Sequence, residues 1–323
     1  MVGKVPPDGL RSHVFDRTGA RDDRVLQGPA YGEDAAVLDV DGATLVVSSD
    51  PISLAAERVG TLGVPVACND VAASGADPAW LTVVLVLPED VPEAVDAVTE
   101  QLHEAALEVG VAIVGGHSEY STELPRPLLS LTAMGVTEQP VPTAGARPGD
   151  CVLLTKGAAI EGTAILASDF RQQLLESGVA EETLERAVEF FDELSVLPEA
   201  RLLRERATAM HDPTEGGVLD GLLELASASG TVLDIDRERI PVREESRLLC
   251  ESMDVDPLRT FGSGALLGTV PPDEVDATLA SLEDAGIRAA CIGKVRESTS
   301  PGLVLDGDKF EQPVRDDLYE RWE

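Results

Sequence analysis

Fifty-nine carboxylates stand against 25 cations in these 323 residues, a formal charge of −34. That imbalance limits the conditions in which any compact fold can form. Like charges crowded onto one body repel and loosen it at low ionic strength. At molar salt the screening length falls to about 3 Å and the repulsion largely disappears. Only Lys4, Lys156, Lys294 and Lys309 are lysines. The chain therefore reads as halophilic. Nucleic acid needs a basic face, and none is expected here. Capture of basic partners fits less well, because the acid is spread throughout and not held in a tail.

The apolar fraction is 43%, ample for packed cores. The length exceeds one typical core and suits two domains. The longest apolar run, 79–88, is broken by Thr82 and falls short of the roughly 20 residues that a membrane span needs. The opening MVGKVPPDGL has no apolar signal core. A cytoplasmic protein with no membrane segment is the expectation. Cys68, Cys151, Cys250 and Cys291 are scattered with no CxxC pair. They read as four small buried or half-buried thiols, not as a disulfide framework or a zinc site.

Residues 1–30 are polar and punctuated by Gly and Pro, so they read as a mobile arm. Segments 35–40 and 43–48 flank Asp41-Gly42, a hairpin signal. Residues 54–76 look helical, with a break expected at Gly60, Gly63 and Pro65. A β-rich run at 80–87 precedes a helix at 91–109, with Glu89, Asp90 and Glu93 near its start. Strands follow at 111–114 and 128–136. This order predicts a mixed sheet backed by helices over 31–139. The stretch 140–149, PVPTAGARPG, reads as a linker. A second α+β domain over 150–323 is predicted, with a strand at 151–155 and helices at 160–167, 181–194, 217–229 and 273–284. Its other strands are placed at 231–235, 265–270 and 289–295.

Four acidic clusters end apolar elements: Gly32-Glu33-Asp34-Ala35, Ser48-Ser49-Asp50-Pro51, Cys68-Asn69-Asp70-Val71 and Gly115-Gly116-His117-Ser118-Glu119. Small neighbours let a metal and a polyphosphate approach the backbone. Mg²⁺ takes carboxylates, water and phosphate oxygens, so aspartates converging from several elements suit Mg²⁺–nucleotide better than zinc. The alternative is salt-adapted decoration. Asp70 resists that alternative, because an unpaired carboxylate in an apolar helix is costly. The turn His211-Asp212-Pro213-Thr214-Glu215-Gly216-Gly217 runs into a helix whose N-terminus attracts anions; the alternative is a plain helix cap. Lys156, between a strand and a helix, reads either as a phosphate contact or as an ordinary surface lysine. His103 reads as solvated. His117 and His211 either orient a substrate or are hydrogen-bonded loop ends. No GxxxxGK[ST], no GxGxxG between strand and helix and no GxSxG occurs, which excludes P-loop, dinucleotide and nucleophile-elbow readings.

Taken together, GEDAAV (32–37), SSDP (48–51), CNDVAASGADP (68–78), GGHSE (115–119), LLTKGAAIEGTAILA (153–167) and HDPTEGGV (211–218) resemble the successive blocks of the AIR synthase-related superfamily. Six ordered blocks are far more specific than one. Within it, the chain is most similar to the carbamoyl-dehydrating hydrogenase maturation factors. The resemblance implies an N-terminal α/β domain that dimerises through its sheet and a C-terminal α/β domain. It implies ATP in the cleft, covered by the arm and Lys4, with Gly32, Gly115 and Gly116 close to it. Asp34, Asp50 and Asp70 would hold Mg²⁺ and phosphates with Asn69 beside them, Glu119 would stand in where relatives carry an acid at His117, and Asp70, Asp212 and Lys156 would serve catalysis. The chain shows no terminal cysteine like that of the maturation factor, and Cys291 falls in an expected buried strand.

The function expected is therefore a Mg²⁺-dependent, ATP-using enzyme that phosphorylates a carbonyl or amide oxygen of a small-molecule or protein substrate. The alternatives are a small-molecule kinase resembling thiamine-monophosphate kinase and a non-catalytic nucleotide-binding regulatory dimer.

Overall fold

The computed structural model describes residues 4–53, 58–88 and 92–322, with Pro92 and Glu93 described by their backbone alone. The expected helix start at 54 and the acids at 89–90 fall outside the described residues.

The first half is a six-stranded sheet. Its strands are β1 (Val25–Gln27), β2 (Ala36–Val40), β3 (Ala43–Ile52), β4 (Asp77–Leu87), β5 (Ala112–Tyr120) and β6 (Leu128–Thr137), in the order β1-β2-β3-β6-β4-β5. Only β4 and β5 run parallel, as a crossover helix requires. The β2–β3 turn is Asp41-Gly42, both at positive φ, the two-residue hairpin turn that the dipeptide predicts. Residues 4–30 carry two short elements. Pro7 opens helix α1 (Pro7–His13), where its fixed φ suits the first turn, and β1 pairs with β2.

Helix α2 (Val59–Ala73) is buried almost throughout and runs unbroken through Pro65, contrary to the expected break. At Gly60 a Cβ would come 2.7 Å from Gln101 and 2.8 Å from the Val98 carbonyl of helix α3 (Pro92–Val109), so this glycine permits close helix contact. Helix α3 buries Val98, Leu102, Ala105 and Ala106 on one stripe and exposes His103, as its periodicity predicts. Strands β4 and β6 alternate. Leu81, Val83, Leu85, Leu129, Leu131 and Ala133 face the helices, while Trp80, Val84 and Val136 remain exposed on the other face.

The second half is a seven-stranded sheet of β7 (Cys151–Thr155), β8 (Ala209–His211), β9 (Val232–Ile235), β10 (Leu267–Val270), β11 (Ala289–Arg296), β12 (Gly302–Leu305) and β13 (Asp308–Phe310), ordered β13-β12-β9-β11-β7-β10-β8. Around it pack α4 (Ile160–Asp169), α5 (Arg171–Glu176), α6 (Glu181–Val188), α7 (Leu197–Leu203), α8 (Gly217–Ser229), α9 (Glu244–Ser252), α10 (Val275–Asp284) and α11 (Tyr319–Trp322). Helix α8 lies between Gly216 and Gly230, both left-handed, and Gly230 closes it onto the Ala226 carbonyl. The helix expected over 181–194 tightens to a 3-10 turn after Val188.

The stretch 140–149 is packed, not loose. Val141, Thr143 and Ala146 are buried, and Thr143–Gly145 forms a 3-10 turn. The cysteine expectation is half corrected. Cys68 and Cys250 are buried free thiols, whereas Cys151 and Cys291 are disulfide-bonded. They lie on adjacent strands with Cα atoms 6.3 Å apart, inside the range a disulfide spans. Among the described residues no helix is long and apolar enough to cross a membrane.

Candidate active site

Three aspartates from three elements converge where the two halves meet. Asp34 comes from the loop before β2, Asp70 from the last turn of α2 and Asp212 from the residue after β8. One carboxylate oxygen from each lies within 4.8 Å of the others. Asp212 is 1% exposed, and neither of its carboxylate oxygens has a hydrogen-bond partner among the described residues. Orphaned buried carboxylate oxygens are costly, because nothing replaces the water they lose. The Ser48 hydroxyl lies 2.5 Å from Asp70 Oδ2 and 3.0 Å from the Asp34 carbonyl oxygen.

Burial drives the electrostatics here. It pushes Asp70 well above the usual carboxylate range, and the charges of Asp50 and Asp212 push it further. Asp212 is pushed up to about 7, by burial first and then by Asp34. Burial also raises Asp34, against the pull of His211. His211, 3% exposed, is the balancing cation. Its Nδ1 lies 2.7 Å from Asp34 Oδ1 and its Nε2 lies 3.1 Å from Glu224 Oε2. Burial alone would lower its pKa, but the two carboxylates outweigh that and raise it well above the usual value. Glu224 in turn is held at about 2 against its own burial, chiefly by Lys4 and His211, and Lys4 Nζ lies 3.1 Å from its Oε1. The Thr143 hydroxyl lies 3.3 Å from Asp34 Oδ2. Three oxygen donors of like charge, one of them orphaned, fit a hard divalent cation such as Mg²⁺ better than they fit one another.

The other residues singled out in the sequence fall into two groups. Asp50 stands beside Asp70 and acts on its charge, though outside the tight trio. Gly32 lies against α8 with φ +86°, and a Cβ there would come 2.7 Å from the Glu224 carbonyl. Lys4 reaches the site through Glu224.

Gly115, Gly116, His117 and Glu119 lie elsewhere, on the fully exposed strand β5. Across the sheet, Asp50 pairs with Leu131, Leu131 with Val83, and Val83 with Gly116. Three strand spacings of about 4.8 Å therefore separate that block from Asp50 within one chain. Gly116 is glycine because a Cβ would strike the Val83 carbonyl at 1.8 Å. Glu119 lies 3.4 Å from His117.

Asn69 is fully buried. Its side-chain N–H donates to the Leu194 carbonyl at 2.8 Å and its oxygen accepts from the Val196 N–H at 2.9 Å. Lys156 Nζ meets Glu199, the Glu193 carbonyl and the Ser195 carbonyl, each at 2.7 Å. These contacts tie Lys156 to the 193–199 segment.

Glu224, Thr143 and Ser48 were not singled out as ligand-orienting groups. Glu224 had a signal, an acid inside the apolar run Leu222-Leu223-Glu224-Leu225. Thr143, in a Pro-rich stretch, had none.

Comparison with known proteins agrees with this architecture. The description "AIR synthase related protein, N-terminal domain" matches residues 32–137, and its C-terminal counterpart matches 147–306. The carbamoyl dehydratase HypE of Cupriavidus necator is 32% identical over 79% of this chain and 74% of its own length. A selenide, water dikinase of Nitratidesulfovibrio vulgaris is 30% identical over 94% of this chain and 95% of its own. A crystal structure of the hydrogenase maturation protein HypE in complex with ATP superposes with a TM-score of 0.71 at 25% identity, covering 95% of this chain and 94% of that one. The chain belongs to the AIR synthase-related family.

Proposed function

We propose that this chain is a Mg²⁺-dependent, ATP-using enzyme that activates a carbonyl- or amide-type oxygen by phosphorylation. The observation that carries the reading is the trio Asp34, Asp70 and Asp212 with the orphaned Asp212 oxygens. When bound, Mg²⁺ would neutralise polyphosphate charge and organise the transferred group. The chain's own residues supply the positioning. Asp34, Asp70 and Asp212 would hold the metal. His211 fixes Asp34 from one side and Thr143 from the other. The Glu224–Lys4 pair ties the N-terminal arm over a cavity of about 670 Å³ that runs past Gly32 and Glu33 along α8. Placement of this kind is the main protein contribution to phosphoryl transfer. The ATP bound in the HypE complex supports a nucleotide in this family's cleft. We include in the proposal a homodimer through the exposed face of the first sheet, because Trp80, Val84 and Val136 leave open apolar surface there.

The test is phosphate release from ATP in molar KCl with and without Mg²⁺, on the wild-type chain and on Asp212→Asn. The expected result is Mg²⁺-dependent turnover that the substitution lowers by about 100-fold. Absence of Mg²⁺-dependent nucleotide binding by calorimetry overturns the proposal. Binding without turnover would leave the regulatory dimer instead. Transfer of phosphate to a stable product, in place of free phosphate, would make the chain a kinase.

A further inference from the structure

One unbroken line of charged groups joins the N-terminal arm to the aspartates. Lys4 Nζ lies 3.1 Å from Glu224 Oε1, Glu224 Oε2 lies 3.1 Å from His211 Nε2, and His211 Nδ1 lies 2.7 Å from Asp34 Oδ1. Cation and carboxylate alternate along it. Its inner members are buried, whereas the Lys4 side chain is 40% exposed. Helix α1, which follows Lys4, buries none of its residues, so the arm is the end of the line that can let go.

Each carboxylate here has two claimants. Glu224 is divided between Lys4 and His211, and Asp34 between His211 and the metal. A cation that loses part of one carboxylate leans harder on the other. With the arm docked, Lys4 takes up part of Glu224, and His211 holds Asp34 against an incoming dication. With the arm away, Glu224 turns to His211 and Asp34 is freed. The direct charge effect has the same sign, because one positive charge has left the neighbourhood of a cation site.

We propose that Glu224 and Lys4 are positioning residues that act on the metal affinity of Asp34 in opposite directions, so that docking of the arm and binding of Mg²⁺ alone oppose each other. This rests on the metal site of the proposed function and deepens it with a regulation of that site. Such coupling is reciprocal: what the arm does to the metal, the metal does to the arm by the same factor. A polyphosphate brings more negative charge than Mg²⁺ cancels. The arm therefore closes on the metal–nucleotide pair and loosens for the metal alone.

The experiment measures Mg²⁺ binding to the full chain by calorimetry in molar KCl, without nucleotide. Buried contacts this close are screened little by such salt. Glu224→Gln should weaken Mg²⁺ binding about tenfold. Lys4→Met should tighten it about fivefold. A merely structural salt bridge would move both variants the same way, because either substitution breaks it. In parallel, trypsin digests the wild-type chain, whose arm offers Arg11, Arg17, Arg21 and Arg24. Saturating Mg²⁺ should speed cleavage in the arm about fivefold, and the effect should vanish in Asp212→Asn. If Glu224→Gln does not fold, Lys4→Met and the digestion still decide. Shifts in the same direction, unchanged affinity in Lys4→Met, or protection of the arm by Mg²⁺ alone overturns the coupling and leaves the metal site in place. No Mg²⁺ binding by the wild-type chain removes the metal site itself, and the coupling with it.

Discussion

His211 Nδ1 lies 2.7 Å from Asp34 Oδ1, which joins the end of strand β8 in the second half to the loop before β2 in the first. The contact places the site's one balancing imidazole between a candidate metal ligand and Glu224, the residue that holds the arm. The two halves and the arm thus meet at a single side chain.

Asp70 is crowded by Asp50 and Asp212, and its ionised form is disfavoured in the metal-free chain. Asp70→Asn should therefore raise the melting temperature of the metal-free protein while weakening Mg²⁺–nucleotide affinity by about tenfold or more. Thermal scans with EDTA and calorimetry with Mg²⁺ measure the two effects. Unchanged affinity would remove Asp70 from the site.

Lys156 and Glu199 form a buried pair, 12% and 0% exposed. Lys156→Met strands the glutamate and should cost about 3–5 kcal/mol of stability by urea unfolding. Nucleotide affinity of the folded protein should not change. A selective loss of affinity would support a phosphate-binding role for Lys156.

Stability should fall as pH rises from about 4 toward 8. Asp316 and Glu161 hold protons in the folded state up to about 8 and about 7, and lose them near 4 when unfolded. Their contribution is fully present below about pH 4 and is lost as pH climbs through the folded values. Each group, where it titrates fully, sets a slope of about 1.4 kcal/mol per pH unit. Glu161→Gln should flatten the profile up to pH 7. A profile identical to wild type would contradict the assignment.

The charge of −34 predicts a melting temperature that rises steeply from dilute buffer to molar KCl. A flat dependence would end the halophilic reading.

The exposed sheet face predicts a dimer in high salt by light scattering. Val84→Asp, a charge in the middle of that face, should shift the mass toward the monomer. A wild-type monomer would contradict the homodimer.

Much of this was legible because it depends on local pattern. The Asp41-Gly42 turn and the span of helix α8 follow from residues a few positions apart. Asp34, Asp70 and Asp212 stood out because an acid among small or apolar neighbours is conspicuous. Less legible was anything decided by distant packing. The close approach of α2 to α3 depends on Gly60, and the Cys151–Cys291 pairing on two strands 140 residues apart becoming neighbours. Lys156 and Asn69 are polar residues beside site motifs, and in the fold both also hold the 193–199 segment. Their partners at 193–199 carry no sequence mark at all.

Asn69 gives the architecture a mechanical meaning. One peptide bond separates this residue, which grips the backbone of Leu194 and Val196, from the candidate ligand Asp70. Any slippage of the second half along α2 is thereby transmitted to Asp70 itself. The alignment of the halves and the bite of the site are one degree of freedom. A chimera that exchanged either half for a relative's would inherit its geometry through this amide before any ligand was touched.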